Sequence, residues 1–283
     1  MISRDGRRHW VNRIMLGLTM AAAVISMLPL FLIFFHILSH GLGSINWDFF
    51  TRMPQPVGET GGGFANAIVG SLILLVLACA FGLPIGIFGG IYLSEYGGRK
   101  VAGVVRFASD LLNGTPSIVV GMFAYTIMVR PMRHFSALAG GVALGIIMIP
   151  TILSTTETMM RMVPRALREG ALALGLPYWK TLVYVVLKAA RGGILTGVLL
   201  AIARIAGETA PLLFTALGNQ FWSTDIRQPI AALPLQIFTY AISPYDDWHN
   251  QAWAGATILI GLVLMLSIVS RLFIRNRLAG KRS

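Results

Sequence analysis

Arg204 and Glu208 stand four residues apart inside an apolar run, a spacing that puts two side chains one turn apart on the same face of a helix. An ionised group near the centre of a bilayer costs at least about 2.5–3.5 kcal/mol, so each needs a partner, a wet path or a substrate. Mutual neutralisation is one solution. In the other, Arg204 makes transient charge-assisted contacts with an oxyanion, because guanidinium geometry suits such oxygens, and Glu208, followed by Thr209, keeps the binding weak enough for release. Pro211 adds polarity to this turn by freeing the Gly207 carbonyl. Arg106 and Asp110 repeat the spacing and read as a snorkelling structural pair. Asn113, Thr115 and Ser117 follow around Pro116, where they can line a path or bond the Leu112 carbonyl that the proline frees.

Such charges matter only if the elements around them cross a membrane. Of 283 residues, 55% are hydrophobic and 12% charged, and the mean hydropathy is +0.72. An ordinary soluble enzyme, with about 25% charged residues, is excluded. Crossing about 30 Å of hydrocarbon takes roughly 20 apolar residues, and six stretches qualify: 14–38, 67–93, 104–129, 137–155, 190–214 and 252–273. The expectation is an all-α, polytopic bundle of six transmembrane helices. A signal peptide is the competing reading of the first stretch, but its apolar length favours an uncleaved anchor.

Six spans put both termini on one side, and that side collects sixteen basic residues, among them Arg7, Arg8, Arg13, Arg99, Lys100, Arg161, Arg165, Arg168, Lys281 and Arg282. The other side holds Arg52, Arg130, Arg133 and Arg227. This bias makes the termini and the 94–103 and 156–189 loops cytoplasmic. It also accounts for the net charge of +12 without nucleic acid. All six tryptophans fall outside the spans or at their ends, as amphipathic rings at headgroup depth do. Pro29, Pro84, Pro116, Pro150 and Pro211 lie inside five of the spans and predict bends. Gly82, Gly86 and Gly90, Gly141 and Gly145, and Gly193 and Gly197 recur at four-residue spacing, which offers small faces for close helix approach.

The loop 157–188 contains two helix-like pieces, 164–174 and 178–187, parted by Gly175-Leu176-Pro177, a stop signal followed by an initiating proline. They predict a projecting elbow whose Leu167, Leu172, Leu174, Leu182 and Val183 find few local partners and suit docking. At these residues the chain resembles the membrane permeases of ABC importers, whose loop carries a Glu-Ala-Ala, Gly, Ile-x-Leu-Pro signature. Glu169, Ala171, Gly175 and Leu187 match, while Gly170, Val185 and Lys188 differ. The segments Leu112-Asn-Gly-Thr-Pro-Ser-Ile-Val-Val-Gly-Met-Phe123, Ala203-Arg-Ile-Ala-Gly-Glu-Thr-Ala-Pro211 and Leu233-Pro-Leu-Gln-Ile-Phe-Thr-Tyr240 are similar to the phosphate-specific permeases, and to their PstA-type rather than PstC-type subunit.

That resemblance implies a MetI-like permease fold in the inner membrane. It also implies a hetero-oligomer: a PstC-type second permease, a pair of PstB-type ATPase subunits gripped through Glu169, Gly170, Ala171, Gly175 and Leu187, and a periplasmic PstS-type phosphate-binding protein. Arg204, Glu208, Thr209, Asn113, Thr115 and Ser117 would then line a phosphate path. The expected organisation is an N-terminal anchor and loop over 1–60, a permease core over 61–275 and a basic tail over 276–283. A permease for another oxyanion, the partner phosphate subunit, and an ion-driven carrier with Glu208 as its proton site are the alternatives.

No Gly-x-x-x-x-Gly-Lys-Ser/Thr loop is present and Gly280-Lys281 continues into Arg282, so ATP hydrolysis is expected on a separate subunit and no cofactor is expected here. Neither Gly-x-Ser-x-Gly nor His-Glu-x-x-His occurs, Cys79 is the one cysteine, and the five histidines are scattered, which leaves no catalytic or metal motif. The segment 229–242 is apolar but too short to span, and reads as a re-entrant or interfacial piece serving as gate, docking face for a binding protein near Trp222 and Tyr240, or cap.

Overall fold

The computed structural model describes residues 4–56, 59, 61–98 and 100–279. Arg99, Lys281 and Arg282 of the basic set, and with them the end of the expected tail, lie outside the described residues.

Apolar length becomes helix nearly everywhere. The principal elements are α1 (Arg4–Gly41), α2 (Ala65–Glu95), α3 (Lys100–Gly114), α4 (Ser117–Met132), α5 (Ala137–Arg161), α6 (Arg165–Ala173), α7 (Tyr178–Ile205), α8 (Leu233–Ala241) and α9 (Asp246–Ala279). Among the described residues there is no strand, and a bridge between Leu217 and Ile230 is the one β-type pairing. Among the described residues five helices are long and apolar enough to cross a membrane, and α3 with α4, bent by 108°, passes the same test only as a pair, as a broken span or a re-entrant loop.

The bend expected at Pro116 in the 104–129 stretch is present, as a complete break between two helices. Pro116 cannot donate to the helix, disfavours the α region for the residue before it and is itself extended at ψ 135°, so the chain restarts at Ser117 with Pro116 as its cap. The fifth span is corrected. It runs from Tyr178 to Ile205 rather than from 190 to 214, and Pro211 sits in the first turn of a new short helix, Ala210–Leu213. Pro29, Pro84 and Pro150 stay inside continuous helices.

The glycines set the packing. A Cβ on Gly82, Gly86 or Gly90 would fall within 3 Å of Met148, Ile152 or Thr156, so α2 and α5 run side by side in the same direction at small-residue distance. Gly193 and Gly197 meet Met159 and Thr155 in the reverse order, which makes α7 antiparallel to α5. The ends of α2 and α5 and the start of α7 therefore gather at one end of the bundle, with the elbow. One core of Leu74, Ala78, Val120, Leu144, Met148, Ile152, Ala201, Ile205, Leu212 and Leu235 joins α2, α4, α5, α7 and α8. α1 stands outside it with an exposed apolar surface and touches α9, where Thr257 Oγ1 donates to the Ile37 carbonyl at 3.2 Å.

Candidate functional site

Two broken helices meet in the bundle. The short helix after α7 packs on α4 so closely that a Cβ on Gly121 would lie 2.6 Å from the Pro211 Cα. The polar turns 113–117 and 204–209 lead into these two helices. Arg204 is exposed in the last turn of α7, and its Nη1 reaches Thr151 Oγ1 of α5 at 3.4 Å. Glu208 lies beyond the helix end, so the four-residue spacing does not give a shared face. Among the described residues no carboxylate comes within 4 Å of Arg204. Thr209 caps the short helix Ala210–Leu213, and Thr115 Oγ1 donates to the Leu111 carbonyl at 2.7 Å, one residue before the expected acceptor. Asn113 is exposed and Ser117 half-buried in the first turn of α4.

The elbow has the expected form. α6 ends at Ala173, Gly175 takes φ +82° where a side chain would be strained, and Pro177 caps the restart at Tyr178. The second piece does not end at the loop but continues into α7, through a widened π-helical stretch at Thr181–Leu187. Glu169 and Gly170 are exposed, and a Cβ on Gly170 would meet nothing within 4 Å. Ala171 is buried against the following segment, while Leu187 packs with Met160, Val163, Val186, Ala190 and Ile194. Leu167, Leu172, Leu174 and Val183 are exposed apolar side chains, with Leu174 at 85%. Leu182 departs from that expectation, because it packs into the same cluster as Leu187.

Two carboxylates that sequence reasoning passed over organise this end. Glu157, at the end of α5, accepts from Arg106 Nε and Arg161 Nη2, both at 2.9 Å on Oε1. Arg106 also donates to the Gly97 carbonyl at 3.1 Å and the Leu93 carbonyl at 3.3 Å, so it caps the end of α2 with a cation, as a helix C-terminus favours. The expected Arg106–Asp110 pair gives way to these partners, since Glu157 is nearly buried and needs both cations. Glu95, closing α2, accepts from Arg168 Nη1 at 2.8 and 2.9 Å and from the Tyr178 hydroxyl. Arg106 and Arg168 lie 51 and 73 residues from their carboxylates, beyond what local spacing can reveal, whereas Arg161 stands four residues after Glu157, a spacing the sequence does show.

At the opposite end, α8 packs on α2 and α9 through Leu233, Tyr240, Ala252 and Phe64. Tyr240 is buried, with its ring stacked on Trp248 at 4.3 Å, so of the two aromatic positions expected at a docking face Trp222 is the accessible one.

Comparison with known proteins places this geometry. Residues 82–282 match the family described as binding-protein-dependent transport system inner membrane component. The chain is 48% identical, over 98% of its length and 95% of the relative's, to the phosphate transport system permease protein PstA of Yersinia pestis. It is 44% identical to that of Haemophilus influenzae over 94% of both, and 36% identical to the probable PstA of Methanocaldococcus jannaschii over 94% of both. Among solved structures, the inward-facing MetNI methionine ABC transporter shares the fold, with a TM-score of 0.56, 16% identity, and 76% of this chain on 94% of that one. So does an amino acid ABC transporter with histidines, at TM-score 0.56, 20% identity, and 75% on 92%. The chain belongs to the binding-protein-dependent inner membrane transport components, and among them to the PstA permeases.

Proposed function

We propose that this chain is the permease subunit of an ATP-driven phosphate importer, forming half of the translocation path and taking its energy from an ATPase docked on the elbow. The observation that carries the substrate assignment is Arg204: an exposed guanidinium in an apolar span, at a helix end, with a threonine hydroxyl rather than a carboxylate beside it. A permanently neutralised arginine has no free donors for an oxyanion. This one keeps them, and Glu208 one turn of chain beyond limits how tightly phosphate is held. Ser117, Thr115, Asn113 and Thr209, on the turns that lead into α4 and the 210–213 helix, line the same path.

The elbow presents Glu169, Gly170 and the exposed leucines to a PstB-type ATPase pair, while Ala171, Gly175 and Leu187 fix its shape. The exposed Ile118, Val119, Met122 and Phe123 of α4 suit the flank of a PstC-type second permease. A PstS-type binding protein delivers phosphate at the α8 end, which is periplasmic; both termini and the elbow are cytoplasmic. Reconstitution into proteoliposomes tests the reading. ATP-dependent phosphate uptake that requires all partners and resists competition by sulfate or molybdate supports it. Uptake by this chain without an ATPase, driven by an ion gradient, refutes it.

A further inference from the structure

We infer that Glu95 is a positioning residue for energy transfer, its buried carboxylate joining the ATPase-facing elbow to α2; this rests on the importer reading above. The Glu95 side chain is 2% exposed and that of Arg168 is 24% exposed. Glu95 accepts from Arg168 Nη1 on both oxygens, from the Tyr178 hydroxyl, and from Ser94 Oγ at 3.3 Å. Arg168 sits in α6 directly before Glu169, and its Nη2 donates to the Met160 carbonyl of α5 at 3.1 Å.

Among the described residues this is the one salt bridge between α6 and α2. A nine-residue helix is too short to be stable by itself, and α6 buries only Ala171, against the segment that follows it. Its angle to the bundle is therefore set by the charged joint. A buried carboxylate abandoned by its cation is strongly unfavourable, so the joint moves as one body instead of yielding gradually. From it, contacts run without a gap to the candidate path. Arg168 grips Glu95 at the end of α2; the glycine face of α2 lies against α5 at Met148, Ile152 and Thr156; and α5 carries Thr151 to Arg204. A movement of the elbow is thus delivered to the polar turn through two closely packed helices.

The test uses the complete reconstituted complex and reads phosphate moved per ATP hydrolysed. Glu95→Gln keeps the size and removes the charge. The ratio is expected to fall about three- to tenfold, while the ATPase still co-purifies and hydrolyses ATP. An unchanged ratio overturns the inference, and so does loss of ATPase binding together with hydrolysis, which would make Glu95 a purely structural residue. Should Glu95→Gln not assemble, Arg168→Lys, which keeps the charge but gives up the bond to Met160, is judged by the same ratio and the same two outcomes. Failure of the unaltered complex to import phosphate would instead refute the importer reading, so the two failures are distinct.

Discussion

Thr151 Oγ1, one residue past Pro150 on α5, stands 3.4 Å from Nη1 of Arg204, one residue before α7 ends. At that distance the contact is weak, and it leaves the guanidinium donors available. Arg204→Ala is therefore expected to abolish phosphate uptake while the complex assembles in normal amount, because the side chain is exposed and fills no core. Uptake in proteoliposomes, set beside the yield of purified complex, checks this; near-normal flux would remove Arg204 from the path.

Glu157 serves two arginines, and the three groups are not equally buried: the side chains are 11% exposed for Glu157, 33% for Arg106 and 49% for Arg161. Removing the shared acceptor leaves two cations without a counter-charge, with backbone carbonyls as their partners, whereas removing Arg161 leaves Glu157 paired with Arg106. Glu157→Gln is expected to cost about 1–3 kcal/mol, and Arg161→Ala less than about 1 kcal/mol. Thermal unfolding of the detergent-solubilised complex should rank them in that order, and equal or reversed losses would contradict the arrangement.

Close approach of α2 to α5 makes a signed prediction for glycine. A Cβ on Gly90 would lie 2.6 Å from both the Leu153 carbonyl oxygen and the Thr156 Cβ, and the backbone oxygen cannot swing away. Gly90→Ala should destabilise by about 1–3 kcal/mol. Gly103, exposed on α3 with nothing within 4 Å, should give the opposite sign, a gain of up to about 1 kcal/mol for Gly103→Ala. The same unfolding measurement decides both.

Much of this molecule can be read from apolar length and from glycine spacing. Spans such as Ala137–Arg161 follow because about 20 apolar residues have no other stable form in lipid, and Gly82, Gly86 and Gly90 announce a close neighbour. The elbow at Gly175 was legible too, because a helix stop and an initiating proline are local signals. Amplitudes were not. Pro116 predicts a bend but not 108°, since the missing donor fixes where the chain yields and packing fixes how far. Hydrophobicity carried the fifth span on to Phe214, although Gly207 and Pro211 end the helix at Ile205, and that moved Glu208 off the face of Arg204. Glu95 was invisible because Arg168 and Tyr178 reach it only in the folded bundle, whereas Glu157 and Arg161 show a four-residue spacing in the sequence and only Arg106 is a tertiary partner.

The central claim is that the chain is driven through its elbow by another subunit's ATP hydrolysis. Gly170 offers the direct probe, since a side chain added there meets nothing within 4 Å, and Cys79 is the one thiol to remove first. In a Cys79→Ser background, the thiol introduced by Gly170→Cys should crosslink to the ATPase in the assembled complex, with a yield that changes between nucleotide-free and ATP-bound states. A thiol at that position that stays open to solvent label and captures no ATPase, in a complex that still imports phosphate, would contradict the account.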